Sequence, residues 1–252
     1  MKTYCTNWLM LLVCCLVTLN LKALPLAEGD ERAKAMKWLT ALQKKYAAEN
    51  LKFDVYMSYT NEHTPDVLLD STSGVLMLSG SNYYFSIQHT VTIKNDRYCV
   101  LVFNEDKLLG IGKAAQAASP ISQLQQMDSL MQYPGVTVKT TEAKNTNVIE
   151  LLLPPGSEQK SLRININRQS GCLERIVYLI KTDNLVDPWL RKEQGKDAYE
   201  PYARVETRFT QQPGGIDKAV FDEASYFIKK GDKLEPAAQY KDFKIFQVTP
   251  TL

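Results

Sequence analysis

The sequence predicts an α+β domain built on one large curved antiparallel sheet, a half-open barrel covered by an N-terminal helix and a mid-chain helix. Three observations lead there. Hydrophobicity alternates with period two over roughly ten or eleven short segments bounded by turn residues. Only two segments repeat at helical spacing, and several of the strands are apolar on both faces.

The first element is a leader. "MKTYCTNWLMLLVCCLVTLNLKALPLAEG" has a lysine near its start, an apolar run from Trp8 to Leu19, and small residues at Ala23 and Ala27. Basic start, apolar middle and small-residue cleavage site make a secretory signal peptide. The apolar run is too short for the roughly 20 residues a spanning helix needs. The expected mature chain is one domain over 28–252, exported to the periplasm and monomeric. Removing 1–23 takes away Lys2 and Lys22 and no acid, so 30 basic residues against 28 acidic become 28 against 28. A chain without net charge has no global field to capture a polyanion, which argues against nucleic acid. Of five cysteines, Cys99 and Cys172 stay in the mature chain, either as one disulfide or as two buried thiols.

"GDERAKAMKWLTALQKKYAAEN" is the first helix, with Asp30 as cap and an apolar stripe through Ala35, Met36, Trp38, Leu39, Leu42 and Tyr46. In "LKFDVYMSYT" the period becomes two, with Phe53, Val55, Met57 and Tyr59 on one face. "SGVLMLSG", "NYYFSIQHTVTIKND" and "RYCVLVFNE" follow across short turns at Gly80-Ser81 and Asn95-Asp96, which favours a meander. "ASPISQLQQMDSLMQYPG" is the second helix, capped by Ser119, started by Pro120 and stopped at Pro134-Gly135. Its stripe of Ile121, Leu124, Met127 and Met131 suits either core packing or an adaptable lid. Strands resume in "TNVIELLLPP", "LRININR" and "LERIVYLIK". A polar excursion over 182–203 precedes three more, in "RVETRFT", "AVFDEASYFIK" and "YKDFKIFQV".

The doubly apolar strands carry the functional reading. "GVLMLSG" offers Val75 and Met77 to one face and Leu76 and Leu78 to the other, and "YCVLVF" repeats the pattern. Two helices cannot cover both faces of so many strands. A curved sheet that encloses its own apolar interior resolves the shortage, and large curved sheets hold ligands in this way.

Signs of catalysis are weak. His63 lies in a polar turn and His89 on a strand, neither with a metal-spaced partner, and G-x-S-x-G and H-E-x-x-H do not occur. Gly110, Gly112 and Ala115 match G-x-G-x-x-A, yet no βαβ unit surrounds them. Pairs such as Asp222 and Glu223, or Asp66 and Asp70, have the ordinary explanation of charged turns. The expectation is a protein that is not an enzyme and uses no cofactor or metal.

The order of elements, with "FDVYMSYT", the G-x-L-x-L-x-G-x-x-Y run from Gly74 to Tyr83, the Asn95-Asp96 turn and "YCVLVF", resembles the LolA-like family of periplasmic lipoprotein carriers. The match spans Asp30 to about Leu109, with a looser fit over 146–181. The excursion over 182–203 departs from it. The resemblance implies a half-open barrel whose cavity receives lipid or lipoprotein acyl chains, loaded from an inner-membrane transporter and unloaded at an outer-membrane acceptor. The candidate strand lining is Phe53, Val55, Met57, Val75, Met77, Phe85, Ile87 and Val91. Helical candidates are Trp38, Leu39, Leu124, Met127 and Met131. Strand parity decides the strand set, since a slip of one residue reverses each choice. The alternative is a non-catalytic envelope scaffold or adaptor that docks a partner through the excursion, with Trp189 and Tyr199.

Overall fold

A computed structural model describes residues 29–114, 124, 126–187, 189, 198–231 and 233–248. Residues 1–23, the expected signal peptide, and the expected Ser119-Pro120 helix start lie outside the described residues, as do Ile121 and Ala115.

Helix α1 (Gly29–Ala48) buries Ala35, Leu39, Leu42 and Tyr46, spaced four, three and four residues apart on one stripe. Asp30 and Glu31 sit in its first turn and Lys45 in its last, each complementing the helix dipole. The helix begins at Gly29, so Asp30 belongs to the first turn and is not the residue before it. Next come β1 (Asn50–Asn61), β2 (Leu68–Ser79), β3 (Asn82–Ile87), β4 (Thr90–Lys94), β5 (Tyr98–Phe103) and β6 (Leu108–Lys113). A short α2 (Met127–Met131) leads to β7 (Thr137–Glu142), β8 (Thr146–Leu152), β9 (Gln159–Asn167) and β10 (Leu173–Lys181). Beyond the excursion lie β11 (Tyr202–Gln211), β12 (Phe227–Lys230), β13 (Lys233–Pro236) and β14 (Lys244–Gln247).

Twelve of these strands form one sheet in the order β14-β6-β5-β4-β3-β2-β1-β11-β10-β9-β8-β7. Two meanders, β1 to β6 and β7 to β11, meet where β1 pairs with β11. The order ends at β14 and β7, so the sheet is open. It is mixed: β14 runs parallel to β6 at one edge, where the sequence predicts antiparallel pairing throughout. A parallel partner requires a long return connection, and 114–243 supplies it.

The described residues divide into two compact units, one of 29–42, 57–71, 124, 126–187, 189 and 198–208, the other of 43–56, 72–114, 209–231 and 233–248. In the second unit, Ile93, Val100, Val102, Leu109 and Ile111 form a buried cluster with Tyr226 and Phe227. Leu234, Tyr240, Phe243 and Ile245 pack around it. "AVFDEASYFIK", predicted as a strand, is two 3-10 turns (Lys218–Phe221 and Glu223–Ser225) followed by β12. The reason is local: the Asp217 carboxylate accepts from the Ala219 N–H and the Asp222 carboxylate from the Ala224 N–H, and each bond starts a tight turn.

The Asn95-Asp96 turn holds this C-terminal segment in place. The Asn95 side-chain oxygen accepts from the N–H groups of Arg97 and Tyr98 at 2.9 and 2.7 Å. Its amide donates to the Phe221 carbonyl at 3.1 Å and to Glu223 at 2.5 Å. Arg97 pairs with the same Glu223. Tyr98 meets Phe227 edge-on at 5.2 Å, and the Tyr226 hydroxyl donates to the Val220 carbonyl at 2.8 Å.

Leu109 is completely buried in this cluster. Leu109→Ala is expected to destabilise the protein by about 2–5 kcal/mol, read as a lower urea midpoint with the slope unchanged.

Candidate functional site

Cross-strand partners in the register share a face, so the pairing assigns the paired side chains of β2 to β6. Leu76 pairs with Phe85, Phe85 with Thr92, Thr92 with Leu101 and Leu101 with Gly110. Gly74, Ile87, Thr90, Phe103 and Leu108 form the next row of the same face. Val75 pairs with Ser86 and Ser86 with Val91, and Met77 pairs with Tyr84 and Tyr84 with Ile93, on the opposite face. The expected lining is therefore split. Phe85 and Ile87 share a face with Leu76 and Leu78, while Val75, Met77 and Val91 are on the other face, that of the cluster covered by the C-terminal segment, against which Val91 packs. The sequence could not settle this because both alternating sets in "GVLMLSG" are apolar.

On the Leu76 face, Leu76, Leu78, Tyr83 and Phe85 are buried, whereas Ile87, Leu101, Phe103 and Leu108 are only half-buried. Gly110 adds no side chain, and a Cβ there would stand 2.7 Å from Phe246 Cζ and 3.0 Å from a Val248 methyl. Phe246 stacks on Phe103 with ring centroids 6.3 Å apart, yet it is 40% exposed and Val248 50% exposed. Cys99 lies on this face too, between Lys94 and Gly112 in the register. Burial pushes its thiol up to about 11, against a smaller opposing pull from Lys94, so it is protonated at neutral pH. Cys99 and Cys172 are thiols and do not form a disulfide.

Phe53 and Val55 are buried in β1, where Phe53 meets Tyr46 at 5.8 Å and Phe209 edge-on at 6.3 Å. Met57 is half-buried. In the first unit, Leu39, Leu124, Met127 and Met131 are buried, Met131 completely. For these methionines, core packing is the observed role. Trp38 is half-buried, with the Lys34 ammonium 5.2 Å from its ring centroid. Lys34 also pairs with Glu142 at 2.8 Å, and the Glu31 carboxylate accepts from the Thr140 N–H and hydroxyl, which ties the start of α1 to β7.

Two polar constellations in this unit were not anticipated. At the base of the excursion, the buried Asn61 donates to the Ala198 carbonyl at 3.1 Å and accepts from the Glu200 N–H at 3.0 Å. The Glu200 carboxylate receives the His63 N–H at 2.9 Å and contacts His63 Nδ1 at 2.7 Å. Tyr199 packs on Tyr59, and Trp189 is 55% exposed. The second is Glu206, 1% exposed on β11. Arg208 Nε donates to it at 2.5 Å, Arg204 pairs with it, and Arg175 stands 3.6 Å away. Burial works to raise its carboxyl, but the Arg208 and Arg204 bonds and charges hold it below the usual carboxylate range. The signal for this cluster was alternation: Arg204, Glu206 and Arg208 recur with period two in "ARVETRF".

No family model and no curated protein sequence matches the chain. Solved structures do. An uncharacterized conserved protein of Thermus thermophilus is similar over 85% of this chain and 99% of its own, at 6% identity and a TM-score of 0.46. The lipoprotein LppX of Mycobacterium tuberculosis is similar over 76% and 100%, at 12% identity and a TM-score of 0.38. A putative outer membrane lipoprotein-sorting protein domain of Vibrio parahaemolyticus is similar over 75% and 97%, at 10% identity and a TM-score of 0.30.

Because the Glu206 carboxyl is held below its ordinary range, its stabilisation is present above that range and lost as pH falls through the native value. Glu206→Gln is expected to cost roughly 1–3 kcal/mol at pH 7 and to lose less stability than wild type on acidification. Urea midpoints across the acidic limb check both.

Proposed function

We propose that the protein is a non-catalytic periplasmic carrier, exported by its signal peptide. It binds lipid or lipoprotein acyl chains and passes them from an inner-membrane transporter toward an outer-membrane acceptor. The observation that carries the reading is the graded apolar face of β2 to β6. Leu76 and Phe85 are buried, while Ile87, Leu101, Phe103, Leu108 and Phe246 on the same face keep part of their surface accessible. A chain laid along this face needs no catalytic residue. Each methylene removed from water contributes about 0.8 kcal/mol, so ten would contribute roughly 8 kcal/mol, the scale of micromolar binding. The acyl subsite is therefore moved from the expected Val75 and Met77 to Leu101, Phe103 and Leu108, beside Phe85 and Ile87. Phe53, Val55 and Leu39 are buried core residues and not part of this accessible face.

A second reading, an envelope adaptor, is favoured by one observation: Trp189 is exposed on an excursion whose return is clamped to β1 through Asn61. It predicts a partner whose capture from envelope extract is lost with Trp189→Ala, and capture unchanged by that substitution would count against it.

For the carrier reading, purified protein is expected to bind a fluorescent fatty acid with micromolar affinity, and Leu101→Glu or Phe103→Glu to weaken it at least about tenfold. Affinity unchanged in both variants, with folding intact by circular dichroism, would remove the face from consideration.

A further inference from the structure

We infer that the polar face of β7 to β11 is a binding surface for phosphate-bearing lipid headgroups, centred on Arg175, Arg204 and Arg208. The register places these three with Glu206 on one face of β10 and β11. Continuing across the sheet, Arg175 lies opposite Asn165 and Val177 opposite Arg163; Arg163 then pairs with Glu150 and Glu150 with Lys139. Five basic residues thus share a face with two acidic ones, a local excess in a chain whose positive and negative charges are otherwise nearly equal. The excess is accessible: Lys139 and Arg163 are exposed, and the Arg208 and Arg175 side chains are 60% and 43% exposed.

Glu206 organises the site. A carboxylate that is 1% exposed and faces three guanidiniums gains little for stability over an apolar residue, because its desolvation offsets much of the attraction. What it does is orient. It engages Arg208 through Nε and Arg204 through one terminal nitrogen, and two of the three forks sit substantially in solvent. A guanidinium offers five donors in a plane, and its fork matches phosphate bidentately. Held in advance, the forks lose less freedom when an anion binds. The charges extend across five strands about 4.8 Å apart. Such breadth suits a surface of many headgroups better than a single small anion. This proposal does not depend on the acyl-chain reading.

The experiment is co-sedimentation with phosphatidylcholine vesicles, with and without phosphatidylglycerol, at low and high salt. Wild-type protein is expected to bind only the anionic vesicles and to release in salt. Arg175→Gln/Arg208→Gln should weaken binding about fivefold per arginine, roughly 25-fold for the pair, and retain fatty-acid binding. Lys229→Gln/Lys241→Gln, which removes the same charge elsewhere, should not change it. If the arginine pair fails to fold, Lys139→Gln/Arg163→Gln, which leaves the Glu206 contacts intact, is the deciding variant and should also lose affinity. Equal binding to both vesicle types, or equal loss in the Lys229/Lys241 variant, would overturn the inference. So would phosphate or polyglutamate binding to this face without vesicle binding, which would assign it to a free anion or an acidic protein.

Discussion

Strands β3 to β6 carry apolar side chains to both faces, and each face has to be screened from water separately. Everything distinctive in this part of the fold follows from that requirement. On one face, Ile93, Val100, Val102, Leu109 and Ile111 are sealed by the C-terminal turns and the β12–β13 hairpin. The other face is sealed at β2 and β3 and grades into partial exposure at β5 and β6. Antiparallel sheets commonly leave one face to solvent. Here the solvated option is taken by the polar face of β9 to β11, where Arg163, Arg175, Arg204 and Arg208 alternate with buried neighbours.

The C-terminal cover is held by polar chemistry as much as by packing. Asn95 supplies both the acceptor that closes its own turn and the donors that dock Phe221 and Glu223. One side chain therefore couples the β4–β5 hairpin to a segment more than a hundred residues later. Asp217 and Asp222 convert an apparently strand-like run into turns that can lay Tyr226 and Phe227 on the sheet. A buried hydroxyl needs a partner, and the Tyr226–Val220 bond provides one.

Most elements were legible because their periodicities are clean. Helix α1 is written in Ala35, Leu39, Leu42 and Tyr46, and β1 to β6 in alternation punctuated by Gly80 and Asn95. The number of covering elements was not legible: the cover between 217 and 243 is made of short 3-10 turns and a hairpin, so a count that included only α-helices overstated the exposed apolar area. Nor was the lining. Val75 and Met77 are as apolar as Leu76 and Leu78, and only the cross-strand register separates them. Nothing in the sequence marks Glu206 as buried, since burial is invisible in an alternating charged strand.

The sequence by itself determined the α+β class and the first meander, because period, turn residues and composition are local properties. Tertiary structure alone decided which face of each doubly apolar strand belongs to the C-terminal cover and which is left partly open. It also decided that β14 returns in parallel beside β6, and that three arginines converge on one buried carboxylate. These depend on register and on partners far away in the chain, and a shift of one residue in pairing would exchange every side chain between the faces.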